Sequence, residues 1–340
     1  MNKLVLLDDS KVNKILNKRI GESKFGEHIK LLTSTTNIYE SIKNLDVEYV
    51  ILGLPEDVGV FANHGKSGTL TAWDATIKIL LNIQSNAYTF ANKVLILGHL
   101  NFEEELIQLS KLNQSNSKDI QRSRKLVENI DKEVSDLIFK IVSAGKTPII
   151  IGGGHNNAYG NLKGTSLALK HSVNAINFDA HTDFRSQEGR HSGNGFSYAA
   201  SEGFLSNYFV FGLHENYTSK DIFDTFDNEV VLDYNTYESI EIRKDLKFKK
   251  EMKRALKHIE KKPFGIEIDC DAIENIPSSA QTPSGFPVVK AREFTHFFGN
   301  HYNAKYLHIC EAAPKKKAAS QVGKLISYLI TDFIRAKELL

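Results

Sequence analysis

Cysteine is nearly absent from this chain. Its 340 residues include only Cys270 and Cys310, which argues against a disulfide framework and for a reducing compartment, so the expected location is cytoplasmic. Long apolar runs are missing too. No stretch reaches the ~20 residues of a membrane span, and the short apolar run in "MNKLVLLDDSK" is too brief for a signal peptide. Nor is there an excess of one charge: 43 basic and 41 acidic residues leave a formal net charge of +2. That balance argues against nucleic acid or a membrane surface as partner. The runs "KKK" (315–317) and "KHIEKK" (257–262) read as solvated helix ends. Internal repeats and low-complexity linkers are lacking. What remains, 41% hydrophobic and 25% charged, suits a globular protein long enough to bury a large core.

Short apolar segments alternate with longer amphipathic ones, the pattern of βα units. Candidate strands are "VEYVILGL" (47–54), "KVLILGHL" (93–100), "TPIIIGGG" (147–154), "VNAINFDA" (173–180), "YFVFGLH" (208–214), "VVLDY" (230–234), "FGIEIDCD" (264–271) and "KYLHICEA" (305–312). Most are apolar on both faces, as parallel strands covered by helices must be. Helices are expected over 118–145, with Gly145 as a stop, over 243–262 and over 319–340. Trp73 and "REFTHFFGNHYNAKY" (292–306) read as helix packing. Residues 1–45 pattern weakly and are expected to form a segment appended to a single α/β domain over 46–340.

Three of the strands end in residues of one chemical kind. The first runs into "GGGHNN" with His155, the second into "NFDAHTDFR" with Asp179, His181 and Asp183, and the third into "IDCDAIE" with Asp269 and Asp271. Parallel sheets build their sites where strands end at the carboxyl edge. Residues two apart on a strand share a side, so Asp179 with His181, and Asp269 with Asp271, can converge. Left unpaired in an apolar sheet, such ions would each cost several kcal/mol. Divalent cations supply the missing charge, and six ligands suit two ions roughly 3.5–4 Å apart. The abundance of hard oxygen favours manganese over zinc. Cys270, between two ligands, should point into the packing. The alternative for each motif alone is structural: aspartate capping a turn, or glycines forming one.

The trio resembles the ureohydrolase family of arginase, agmatinase and formimidoylglutamase. Its marks are G-G-x-H, D-A-H-x-D, and a D-x-D strand followed by a segment seen here as "QTPSGFPV" (281–288). Further similar stretches are "GLPEDVGVFANHGKSG" (53–68) and "HICEAAP" (308–314). The resemblance covers roughly residues 47 to 335. It implies a three-layer α/β/α sandwich around an eight-stranded parallel sheet, and two Mn2+ per subunit held by His155, Asp179, His181, Asp183, Asp269 and Asp271. Trimers or hexamers are frequent in the family. Glu311 would accept hydrogen bonds from amidine or guanidine nitrogens; its alternative is an ion pair with a lysine. Water held between two cations loses its proton near neutral pH, and Asp183 is suited to pass that proton to a departing amine.

The loop "FRSQEGRHSGNGFSYA" after Asp183 should decide the substrate, an amino-acid derivative. Arginases tend to carry asparagine where Arg185 stands, and a proton-shuttling histidine where Phe196 stands. His191, five residues away, could replace that histidine or lie at the surface. Formimidoylglutamases tend toward D-x-R and S-G-x-x-F, as in "DFR" and "SGNGF". Arg185 could grip a carboxylate or form a structural salt bridge. Ser192 and Asn194 match positions that contact the amino-acid end in arginase, or else build turns. The expected reaction is N-formimidoyl-L-glutamate to L-glutamate and formamide, with arginine second and agmatine less favoured. Glu267, Glu274 with Asn275, and Asn156 depart from the family pattern. Rivals of other classes are a single-zinc deacetylase of the same broad fold and a non-catalytic metal-binding protein. His64, His99, His214 and His301 have no ligand-like spacing, and most of them are expected in loops or on helix surfaces.

Overall fold

A computed structural model describes residues 3–340. Strands β1 (Leu4–Leu6), β2 (Tyr49–Gly53), β3 (Val94–Leu100), β4 (Thr147–Ile151), β5 (Val173–Phe178), β6 (Leu205–Leu213), β7 (Leu232–Thr236), β8 (Phe264–Asp269) and β9 (Ala304–Cys310) form one sheet. Its order is β1-β3-β2-β4-β9-β8-β5-β6-β7. All neighbours are parallel except β1, which lies antiparallel on β3.

The strands between the two edges alternate their side chains between two apolar layers, which is why those segments read as continuous hydrophobic runs. Ile51, Ile149, Ile176 and Phe209 face one layer, with helices α1 (Ala72–Leu80), α5 (Phe248–Ile259), α6 (Val288–Gly299) and α7 (Ala319–Glu338). Val50, Ile150, Ala175 and Val210 face the other, with α2 (Ser117–Ser143), α3 (Asn157–Leu169) and α4 (Lys220–Asn228). The three layers match expectation, and Trp73, Phe294 and Phe298 pack in the core as anticipated. No helix among the described residues is long and apolar enough to cross a membrane.

Three expectations need correction. The sheet has nine strands, not eight. The added strand is the apolar run near the start of the chain, too short to declare itself by pattern because its pairing partner lies about ninety residues away. Its docking depends on Gly98 in β3, at φ 124°, where a Cβ would come within 2.0 Å of the Val5 carbonyl oxygen. Phe25 of the same early segment is fully buried in the core. Second, the helix expected over 243–262 begins at Phe248, because Lys244 adopts φ 60° and interrupts the preceding turn. Third, His99 stands in β3 rather than on a loop or helix surface, while His214 does lie in the connection after β6 but is buried there.

Gly98→Ala is expected to lower stability by about 1–3 kcal/mol in urea denaturation. Hydrogen exchange should show lost protection at Leu4–Leu7 and none at β4 or β5; unchanged protection of β1 would disprove the role given to Gly98.

Candidate metal centre

The carboxyl ends of four adjacent strands, β4, β9, β8 and β5, supply the site. Beyond β4, Gly152 and Gly153 take φ of 88° and 74° before His155. A Cβ on Gly153 would sit 2.4 Å from the Asn157 amide nitrogen and 2.8 Å from Glu56 Oε1, so glycine is required there. Glu56 ties the turn together. Its Oε1 accepts from Gly154 N and Asn157 Nδ2, and its Oε2 accepts from Val58 N at 2.7 Å and Gly59 N at 3.2 Å.

The two aspartates that begin D-x-H and D-x-D fold alike. Asp179 Oδ1 accepts from His181 N, and Asp269 Oδ1 accepts from Asp271 N, both at 2.7 Å. These are side-chain turns of the kind aspartate commonly makes. They use one oxygen each. The other oxygen turns inward, and with Asp183 it surrounds a single ring nitrogen. His155 Nδ1 lies 2.8 Å from Asp183 Oδ2, 3.0 Å from Asp269 Oδ2 and 3.3 Å from Asp179 Oδ2. Donor atoms of His155, Asp179, Asp183 and Asp269 all fall within 4.8 Å of one another. His181 stands beside them, its Nδ1 3.5 Å from Asp179 Oδ1. Asp271 accepts from Ala280 N at 2.9 Å and Ser279 Oγ at 3.2 Å.

This group is short of positive charge. Burial, then repulsion from Asp179, push the Asp183 and Asp269 carboxyls above their ordinary range, and burial does the same to Asp271. Burial opposes protonation of the imidazoles, yet the carboxylates hold His155 well above its usual value and bring His181 to about 10. Cations there would compensate the carboxylates, and a donor set of carboxylate oxygen and imidazole nitrogen fits Mn2+.

Above the cluster opens a cavity of about 560 Å3, lined by His181, Asp183, Arg185, Ser192, Asp269, Asp271 and Glu311 among others. Glu311 takes φ 58° directly after β9, as Asp183 takes φ 44° after β5. Both are conformations that a non-glycine residue holds at a cost, and such strain gathers at functional sites. Glu311 Oε1 accepts from His155 N at 2.7 Å, while its buried Oε2 has no partner. Burial, then the charge of Asp271, raise its pKa to about 8.

The Arginase family model matches residues 47–334. The chain belongs to the arginase family. It is 29% identical over 187 residues to the formimidoylglutamase of Hahella chejuensis, covering 52% of this chain and 50% of the relative. It is 31% identical over 198 residues to that of Macrococcus caseolyticus, covering 56% of each. The chain thus spans about half the length of these curated relatives. Similar solved structures include a formiminoglutamase of Trypanosoma cruzi with Mn2+2 (TM-score 0.70, 17% identity, 93% of this chain and 98% of that one). Another is the formimidoylglutamase of Bacillus subtilis (TM-score 0.71, 15% identity, 95% and 94%). At those identities the likeness is one of fold.

The residues expected to separate members of the arginase family at the substrate end are divided by the structure. Arg185 is exposed at the cavity, with Nη1 donating to Asn63 Oδ1 at 2.8 Å, and Asn63 Nδ2 donates to Ser192 Oγ at 3.1 Å. A neutral partner leaves the guanidinium charge available. Asn194 is buried outside the cavity lining and commits its amide to the loop. Its Oδ1 accepts from Arg190 Nη1 and His191 N, and its Nδ2 donates to Ser186 O and Gly189 O. Phe196 is buried, stacked on Tyr208 at 4.3 Å and edge-on to His155 at 5.1 Å.

His191 is fully buried rather than at the surface, and its Nδ1 accepts from Gly193 N at 3.1 Å. Arg190, which sequence reasoning passed over, anchors the loop. It pairs with buried Asp131 at 2.8 Å, donates to Asn156 O at 2.9 Å, and lies 4.8 and 5.0 Å from the rings of Tyr159 and Tyr198. Charge and neighbouring tyrosines were the available signal, but Tyr159 stands about thirty residues upstream. Glu56 and Asn63 lay inside the quoted 53–68 stretch, where nothing local marked their partners.

Burial, aided by the charges of Arg185 and Arg124, lowers the His191 pKa from 6.5 to about 3. The unfolded chain therefore binds more protons across that interval, so this contribution to stability is lost as pH falls from 6.5 toward 3. His191→Gln should flatten that part of the Tm-against-pH curve; an identical slope in both proteins would refute the assignment.

Proposed function

We propose that the protein is a binuclear-manganese hydrolase that cleaves the C–N bond of a linear amidine. Its preferred substrate on this reading is N-formimidoyl-L-glutamate, yielding L-glutamate and formamide. The observation that carries the proposal is the convergence of buried carboxylates on His155 Nδ1 beneath an open cavity. His155, Asp179, Asp183 and Asp269 would hold one ion, and Asp179, His181, Asp269 and Asp271 the other. Bound there, two Mn2+ ions make water acidic enough to yield a nucleophile near neutral pH and stabilise charge on the attacked carbon's substituents.

The chain's own residues do the rest. Glu311 Oε2, buried and unpartnered at the cavity, accepts N–H groups of the formimino end and fixes its trigonal carbon over the floor. Asp183 lines the cavity and belongs to the buried cluster, so its carboxylate is suited to carry a proton to the departing amine. Water adds across the C=N group, the bond from carbon to the glutamate nitrogen breaks, and that nitrogen leaves with the proton. Arg185, held by Asn63, which in turn donates to Ser192, offers its free N–H groups to a substrate carboxylate. Asn194 keeps the loop that carries Arg185 and Ser192 in place.

The relatives' names as formimidoylglutamases support this reading, as does the placement of Arg185. A phenylalanine packed against His155, where an arginase would carry a shuttling histidine, supports it over arginine hydrolysis. The participation of His155 in the cluster speaks against a single-zinc deacetylase. Incubating the Mn2+-loaded protein with formimidoyl-glutamate, arginine, agmatine and guanidinobutyrate, with formamide and urea both measured, tests the reaction. Formamide from the first compound is expected; urea from arginine or agmatine instead would replace the substrate, and no product from any would end the proposal. Arg185→Ala should raise KM about tenfold or more, from ~1.5 kcal/mol or more for a charged hydrogen bond, for carboxylate-bearing substrates. An equal rise for agmatine would remove Arg185 from that role.

A further inference from the structure

Behind the metal centre lies a second buried polar group that the reaction above does not use. Glu267 is in β8, two residues before Asp269 and on the same strand face, and is fully buried. Two residues of the neighbouring strand hold its carboxylate. Tyr306 OH donates to Oε1 at 2.7 Å, and His308 Nδ1 lies 2.5 Å from Oε2. The register sets Glu267 opposite His308 and Gly265 opposite Tyr306. A Cβ on Gly265 would meet the Tyr306 ring at 2.0 Å, so the missing side chain gives the phenol its path to Glu267. The carboxylate is therefore fixed from two sides, and its Oε2 points at the back of the His155 ring, 3.5 Å from Nε2. Nε2 is buried and has no hydrogen-bond partner among the described residues.

A neutral imidazole carries one proton and must place it on one of two nitrogens. Nδ1 faces the carboxylates of Asp179, Asp183 and Asp269, and it can bind an ion only through its lone pair. The proton must then reside on Nε2, where the fixed Glu267 Oε2 is the carboxylate at 3.5 Å, with Cys310 and His308 also close by. Carboxylates behind metal-bound histidines set ring tautomer and orientation in this way. We propose that Glu267 is a positioning residue for His155: it accepts the Nε2 proton and keeps the Nδ1 lone pair turned toward the ion-binding carboxylates. The inference rests on the two-ion reading above.

The test is Mn2+ binding to wild type, Glu267→Gln and Glu267→Leu, followed by electron paramagnetic resonance of free ion and by metal counting, with melting of each metal-free protein alongside. Wild type should hold two ions. Glu267→Leu should lose about 10- to 100-fold in affinity for one of them, the ion His155 serves, with the other little changed. Glu267→Gln keeps an oxygen that can accept the proton and should fall between; it also decides the matter if the leucine variant does not fold. Equal weakening of both ions in step with a lower metal-free melting temperature would overturn the proposal in favour of a purely structural Glu267, and so would unchanged affinity in both variants. Donor atoms of Cys310, His155 and His308 also lie within 4.8 Å of one another. A third ion lost on Cys310→Ser would overturn the proposal as well, by making Nε2 a ligand. Wild type that binds no pair of ions would instead sink the two-ion reading on which this one stands.

Discussion

Negative charge buried at one edge of a parallel sheet is the constraint around which this protein is arranged. Carboxylates of Asp179, Asp183 and Asp269 crowd one imidazole nitrogen. Such an arrangement is unfavourable by itself. Despite burial, the carboxylates raise the pKa of both neighbouring imidazoles, and the donor set is one that divalent ions would match. The same imbalance that burdens folding makes the cavity floor a candidate site for cations.

Rigid support surrounds this imbalance on every side. The glycine turn after β4 brings His155 to the sheet edge, and Glu56 locks that turn to the loop that follows β2. Asp179 and Asp269 each spend one oxygen on the backbone two residues ahead, which aims the other oxygen inward. The Asp179 oxygen that turns inward also accepts from Asn177 Nδ2, which in turn donates to Tyr208 OH at 2.9 Å. Phe196 then seals Tyr208 against His155. Strained backbone at Asp183 and Glu311 persists because these contacts over-determine it.

The loop at the cavity rim is built on different terms. It is not part of the sheet and is held by one buried ion pair, Arg190 with Asp131, flanked by two tyrosine rings. Asn194 distributes four hydrogen bonds across the loop. This division lets Arg185 and Ser192 stand at the cavity while the side chains around them do the holding. The cavity floor and its rim thus have separate supports, so the rim can vary without disturbing the buried cluster.

Strand identity and the make-up of the buried carboxylate–histidine cluster were legible in the chain because both are local. A strand covered on both faces must be apolar throughout, so all eight candidate segments became strands. Aspartates two apart at a strand end share a face by backbone geometry, so D-x-H and D-x-D announced themselves. The ninth strand, the burial of His191 and His214, the commitment of Asn194 to the loop and the reach of Glu267 toward His155 were not legible. Each depends on which distant segment lies alongside, and that is decided by sheet order and helix packing rather than by any spacing along the chain. The sequence alone determined which side chains could bind cations; only the tertiary structure decided which of them meet, because charge compensation and hydrogen bonding act over a few ångströms of space between residues up to 156 positions apart.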